Sequence, residues 1–159
     1  MRILVLYRSY YGNTRDVADT IAGRLTALGH QLTVQDVRQP LRDLANVDRV
    51  LIGAPTRFGR VSGKAKSALR KLRRRGFGDR LIGTFDTYGP LPKTPEEAEE
   101  NRKWLEPGAA VILQREAGRL GLKVFAESLR CAVKKYQGPL ADGELEKAEG
   151  FAERFASAR

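Results

Sequence analysis

Short apolar runs alternate with longer amphipathic stretches along this chain, and that alternation restricts the fold more than any other feature. RILVLY (2–7), DRVLIGAP (48–55), RLIGTFD (80–86) and LKVFAESL (122–129) read as strands, the first and second almost wholly apolar. A strand apolar on both sides needs cover on both faces, as in the middle of a parallel sheet. QLTVQDV (31–37) alternates instead, which suits an edge. Helical spacing fills the gaps. Val17, Ile21, Leu25 and Leu28 mark one helix over 13–28, and Ala65, Ala68, Leu69 and Leu72 mark a second over 62–75. A third over 107–120 is expected to carry Pro107 in its first turn, and a last over 143–156 to be capped by Asp142. Between strand four and the third helix, TPEE sets a proline at the start of a further short helix from Thr94. Strands separated by helices predict an α/β fold with a doubly wound parallel sheet. Such sheets bind ligands beyond the carboxyl ends of their strands, so the loops at 8–14, 54–63 and 86–94 are the ones to inspect.

At 159 residues the chain suits one domain. Its single cysteine, Cys131, forms no internal disulfide, and the apolar start MRILVLY is too short for a secretion signal. No apolar stretch approaches the ~20 residues of a membrane span. These features predict a cytoplasmic protein. Cys131 reads as a small core residue, because the one histidine, His30, sits in a turn far along the chain. No group of cysteines or carboxylates has metal-ligand spacing. The charge is unusual: 29 Lys and Arg against 19 Asp and Glu give +10. The densest run, RKLRRRGFGDR (70–80), falls at a helix end, where cations are favourable. A solvated helix end is its default reading, an acidic protein partner the second, and nucleic acid the last, since no nucleic-acid-binding signature accompanies it.

The first loop, RSYYGNT (8–14), carries the chemistry. It has one glycine where a dinucleotide fingerprint needs three. The nearest approach to a lysine-bearing nucleotide loop, FGRVSGKA (58–65), has Phe58 for the first glycine and Ala65 for the metal-binding hydroxyl. What remains is capture of a phosphate that is held and not transferred. Ser9, Asn13 and Thr14 offer side-chain donors, and the amides of residues 10–14 lie at the positive end of the helix that follows.

At this point the residues resemble a known family. VLYRSYYGNTRDVADTI (5–21) is similar to the phosphate-binding signature of flavodoxins, and the likeness runs on through GAPTRFG (53–59) and FDTYGP (85–90). It implies a five-stranded sheet of order 2-1-3-4-5 and non-covalent FMN. By the matched positions, Ser9, Tyr10, Tyr11, Gly12, Asn13 and Thr14 would hold the FMN phosphate. Pro55, Thr56, Arg57, Phe58 and Gly59 would border the flavin ring on one side, and Asp86, Thr87, Tyr88 and Gly89 on the other. Tyr88 is the better stacking candidate and Phe58 the second wall, while Gly59 and Gly89 offer peptides that turn over easily. Arg57 near the ring's N1 and O2 would favour the reduced, anionic flavin. The resemblance implies an electron carrier with a redox partner protein, for which the charge suggests an acidic surface. An NAD(P)H:quinone oxidoreductase of flavodoxin type is the alternative, since PTRFG is similar to the matching loop of that group. A flavodoxin-like protoporphyrinogen oxidase, and a domain without flavin, stand behind it. The chain departs from flavodoxins in its basic charge and in lacking a tryptophan in the strand-three loop.

Overall fold

A computed structural model describes residues 1–41 and 43–159. Five parallel strands, β1 (Arg2–Tyr7), β2 (Gln31–Asp36), β3 (Arg49–Pro55), β4 (Ile82–Tyr88) and β5 (Val124–Ala132), form one sheet in the order β2-β1-β3-β4-β5. The expected topology is therefore the observed one. Among the described residues five α-helices, α1 (Asn13–Ala27), α2 (Gly63–Arg74), α3 (Pro95–Leu105), α4 (Ala109–Arg119) and α5 (Glu144–Ser157), accompany it, with one 3-10 turn over Leu44–Asn46.

Alternate residues of the central strands feed two cores. On one face Leu4, Leu6, Val50 and Ile52 pack with Leu69 and Leu72 of α2 and Leu113 of α4. On the other, Ile3, Val5, Leu51 and Phe85 pack with Val17, Ile21 and Leu25 of α1 and Phe151 and Phe155 of α5. Both faces of the sheet are thus dry, which accounts for the unbroken apolar runs. β2 lies at the edge, where Gln31, Thr33 and Val34 are exposed and no residue is fully buried. α3 buries no residue and stands outside the two layers. Thr94 caps it by accepting from the Glu97 amide at 3.1 Å, with Pro95 at its start, as the TPEE pattern foretold.

Several boundaries differ from the sequence expectation. β4 runs two residues beyond Asp86, because Asp86, Thr87 and Tyr88 pair in register with Arg130, Cys131 and Ala132 of β5. A buried carboxylate looks like the end of an apolar strand; here the facing arginine lets the strand continue. β5 correspondingly ends at Ala132, not 129. Pro107 lies ahead of α4, whose N-cap is Gly108. Gly143, not Asp142, caps α5, while Asp142 reaches out to Lys134 at 3.1 Å. Cys131 is fully buried, and burial pushes its thiol up to about 12, consistent with a core role.

Candidate functional site

The strand order reverses between β1 and β3, so the loops leaving them part at the carboxyl edge of the sheet. A cleft of about 400 Å³ opens there. Its floor is a pair of buried hydroxyls: Thr14, in the first turn of α1, and Thr87, on β4, stand 2.7 Å apart.

At one end, α1 begins without a side-chain cap. Its N-cap is Gly12, at φ 95°, a backbone region that side-chain-bearing residues rarely adopt. A Cβ on Gly12 would meet nothing within 4 Å, so the space above the helix start is open. The Ser9 hydroxyl orders this turn, accepting from the amides of Gly12 at 3.1 Å and Arg15 at 3.4 Å. Among the described residues, the amides of Tyr10, Tyr11, Asn13 and Thr14 donate to no protein acceptor. Orphan amides beside an open space at a helix N-terminus favour an anion.

The rest of the cleft is aromatic. Phe58, at φ 51°, meets Trp104 of α3 edge to face, with ring centroids 6.2 Å apart. Gly59 makes this contact possible: its amide donates to the Trp104 carbonyl at 3.0 Å, and a Cβ on it would overlap the Lys103 carbonyl oxygen. Tyr11 and Tyr136 also line the cleft and pair at 5.7 Å. The Tyr11 hydroxyl and Arg57 both favour the charged form of Tyr136 and lower its pKa, and the Tyr136 hydroxyl raises that of Tyr11. The guanidiniums of Arg57 and Arg8 lie 4.0 Å and 4.1 Å from the Tyr10 ring centre at the lip.

The residues singled out in the first loop, apart from Gly12, line this cleft, as do Pro55, Thr56, Arg57, Phe58, Thr87, Tyr88 and Gly89. Gly12 and Gly59 shape its backbone without lining it. Asp86 lies elsewhere. It is fully buried under the floor, bound by Arg130 Nε at 3.0 Å, the Thr56 hydroxyl at 2.8 Å and the Ala110 amide at 3.3 Å. Burial pushes its carboxyl above the ordinary range, and these donors pull the other way. Tyr88 lines the cleft, yet its ring has the Arg130 guanidinium 3.8 Å away. The Asn13 side chain donates to the Gln137 carbonyl at 3.1 Å and so ties the loop after β5 to the start of α1. Pro90, Asn101, Trp104, Leu105, Val133 and Tyr136 also line the cleft and fall outside the sequence-based set. Tyr136 was detectable by the rule already used for the other loops, because it follows the carboxyl end of β5. Among the described residues no group of side chains has the makings of a metal site, and no helix is long and apolar enough to cross a membrane.

Gly59→Ala should displace α3 and carry Trp104 away from Phe58. We expect a stability loss of about 1–3 kcal/mol in urea unfolding and a red shift of the single tryptophan's emission. An unchanged emission maximum would show that the Gly59 contact does not position the wall.

A family model described as a flavodoxin domain matches residues 4–129. A protein named NAD(P)H dehydrogenase (quinone) from Cupriavidus metallidurans is 32% identical over 89 residues, covering 43% of this chain and 45% of that protein. A putative diflavin flavoprotein A 2 from Thermosynechococcus vestitus is 30% identical over 112 residues, covering 67% of this chain but 19% of that protein. The chain thus spans about half the length, or less, of these relatives. Among solved structures, a flavodoxin from the domain Archaea superposes with a TM-score of 0.77 over 98% of this chain and 96% of its own, at 16% identity. Oxidised Flavodoxin 2 from Bacillus cereus does so at 0.74 over 98% of each chain, at 22% identity. Identity this low speaks for the fold alone.

Proposed function

Because the chain belongs to the flavodoxin domain family, we propose that its cleft holds FMN and that the protein carries electrons for a partner protein. The observation that carries this reading is the uncapped start of α1, with its orphan amides, opening into the same cleft as four aromatic walls. The donor set fits the cofactor. The 9–14 loop offers amides and hydroxyls to a phosphate, and the cleft is mostly apolar, as a flat ring requires. FMN, when bound, supplies one- and two-electron redox chemistry. The protein's own residues hold and orient it.

Phe58 with Trp104 would border the ring on one side and Tyr11 with Tyr136 on the other. Trp104 arrives from α3, which compensates for the absence of a tryptophan in the strand-three loop. Tyr88 contributes an edge, since Arg130 occupies one of its faces. Arg57, whose guanidinium lies over Tyr10 at the lip, would favour negative charge on the ring. Asp86 acts from below: it fixes Thr56 and the start of α4 without touching the ligand.

A second reading is favoured by the relative named NAD(P)H dehydrogenase (quinone), namely a flavin enzyme that oxidises NAD(P)H with a quinone. Apoprotein mixed with FMN should turn yellow and retain the colour through gel filtration; colourless protein would remove both readings. The loaded protein, given NADPH and benzoquinone, is then expected to turn over well below the ~10 s⁻¹ of a median enzyme. Turnover at that level would replace the carrier by the enzyme.

A further inference from the structure

Resting on that reading for what occupies the cleft, we propose that the rim is a docking surface for the acidic face of a partner protein, with an aromatic centre and a ring of free cations.

Among the described residues ten large apolar side chains are exposed, and six of them, Tyr10, Tyr11, Phe58, Leu91, Trp104 and Tyr136, lie in or beside the cleft, while Met1, Leu28, Val34 and Leu145 lie elsewhere. Phe58 is 66% exposed, Tyr136 57% and Leu91 51%, and Leu91 is not part of the lining, so a ligand within the cleft leaves it uncovered. A contiguous apolar patch of this kind marks an interaction site. Its composition, aromatic with arginine at the edge, is that of the centre of a protein interface.

The charge around it separates this surface from the rest of the basic exterior. Arg8 and Arg57 lie on Tyr10, and Lys103 Nζ lies 4.8 Å from the Trp104 ring centre. Arg60 closes a tight turn with Arg57, its amide donating to the Arg57 carbonyl at 2.9 Å, and Lys135 adjoins Tyr136. Among the described residues, none of these five cations forms an ion pair, and with Arg8 donating to the Ser9 carbonyl at 2.8 Å, Arg57, Arg60, Lys103 and Lys135 are the four whose side chains are bound to no carbonyl or carboxylate of the protein. The denser basic run near the end of α2 is largely committed to the protein itself. Arg70 faces Glu116, Arg73 donates to the Leu120 carbonyl, and Arg80 donates to the carbonyls of Leu44 and Val47. Cations already bound to their own carbonyls and carboxylates have less to offer a partner than free ones. α3, which lends Asn101, Trp104 and Leu105 to the cleft, carries Glu96, Glu97, Glu99 and Glu100, of which Glu99 is held by Arg102 and Glu97 accepts from the Lys93 amide. The partner's acidic residues therefore belong over the side formed by Tyr10, Arg57 and Tyr136. Complementary charge sets orientation and association rate, while the apolar centre provides the contact.

The test uses two Glu-rich peptides, one with a Phe-Leu pair at its centre and one with Ala-Ala, titrated into the full chain with and without FMN and followed by amide NMR. We expect perturbation at residues 8–11, 57–60 and 135–137, tighter binding of the Phe-Leu peptide, and weakening as salt rises. A triple variant, Arg60→Glu with Lys103→Glu and Lys135→Glu, alters no residue that lines the cleft. It should lower peptide affinity about tenfold or more and leave FMN affinity within about threefold. The proposal is overturned if perturbation centres on residues 70–80, if the two peptides bind equally, or if the triple variant binds as well as the parent. It is also overturned if phosphatidylglycerol vesicles or a DNA oligonucleotide perturb the rim amides and the peptides do not. Calorimetry with FMN on the same samples reports the flavin reading separately. Protein that binds the Phe-Leu peptide at the rim but takes no FMN retains the docking surface and loses the cofactor.

Discussion

Arg130→Met is expected to destabilise the protein by about 3–5 kcal/mol at neutral pH, the usual penalty for leaving one member of a buried ion pair alone. Asp86 is fully buried on the central strand β4, and Arg130 faces it in register on β5, with Nε 3.1 Å and 3.0 Å from its two oxygens. The Thr56 hydroxyl and Ala110 amide remain in the variant, but both are neutral and do not balance a carboxylate. The loss extends further, since Arg130 Nη2 also donates to the Leu105 carbonyl at 2.8 Å, tying the end of α3 to the sheet. A pH series separates this account from simple loss of packing. Burial already raises the Asp86 pKa, and removing the guanidinium raises it further. A group with a raised folded pKa gives stability that is present at low pH and lost as pH rises through that value. The gap between parent and variant should therefore narrow as pH falls toward the carboxylate range, and a gap independent of pH would discard the explanation. The double variant Asp86→Leu with Arg130→Met should recover much of the loss, because replacing a whole buried pair by apolar groups is often neutral.

The same pair shows where the sequence was legible. Hydrophobic period identified each strand and the helices between them, because burial on two faces or one leaves a direct imprint on the pattern. Asp86 broke that imprint, so β4 appeared to end early and the residue looked like part of a loop that touches ligand. Its partner lies 44 positions away, and no local pattern links them. The phosphate loop was legible for the opposite reason. A strand, a turn and a helix start are consecutive, and their donors are counted directly along the chain. The aromatic walls were half legible: Phe58 and Tyr88 follow strands whose ends point to the site, while Trp104 depends on how α3 folds back over the sheet. That placement comes from the Gly59 amide meeting the Trp104 carbonyl, a contact between distant segments. Asn13 is a further instance. Its type suggested a phosphate donor, yet it faces a loop after β5 and fastens that loop instead.

Apoprotein should bind FMN about 10³-fold more tightly than riboflavin, which has the same ring and no phosphate. The estimate follows from hydrogen bonds to a charged group at about 1.5–3 kcal/mol each and from the favourable field at a helix start, worth about 0.3–1 kcal/mol. Three such bonds, reduced by the desolvation of a dianion, leave a net of roughly 4 kcal/mol, or three powers of ten. No lysine lies in the 8–14 loop, and Arg8 is turned to the Ser9 carbonyl at 2.8 Å and to Tyr10, so the main-chain amides must supply most of this. Gly12→Val isolates their contribution. A Cβ at that position touches nothing, but a β-branched residue cannot hold φ 95° without strain, and the amides following it would turn away from their common point. Fluorescence titration of the variant should show FMN affinity falling toward that of riboflavin while riboflavin binding changes far less, since three of the four aromatic walls, Phe58, Trp104 and Tyr136, are distant in the chain and unchanged. If the parent protein binds both flavins equally, the open helix start is not where the phosphate goes. The ring would then be held by its walls alone, and the 9–14 loop would be no more than a turn.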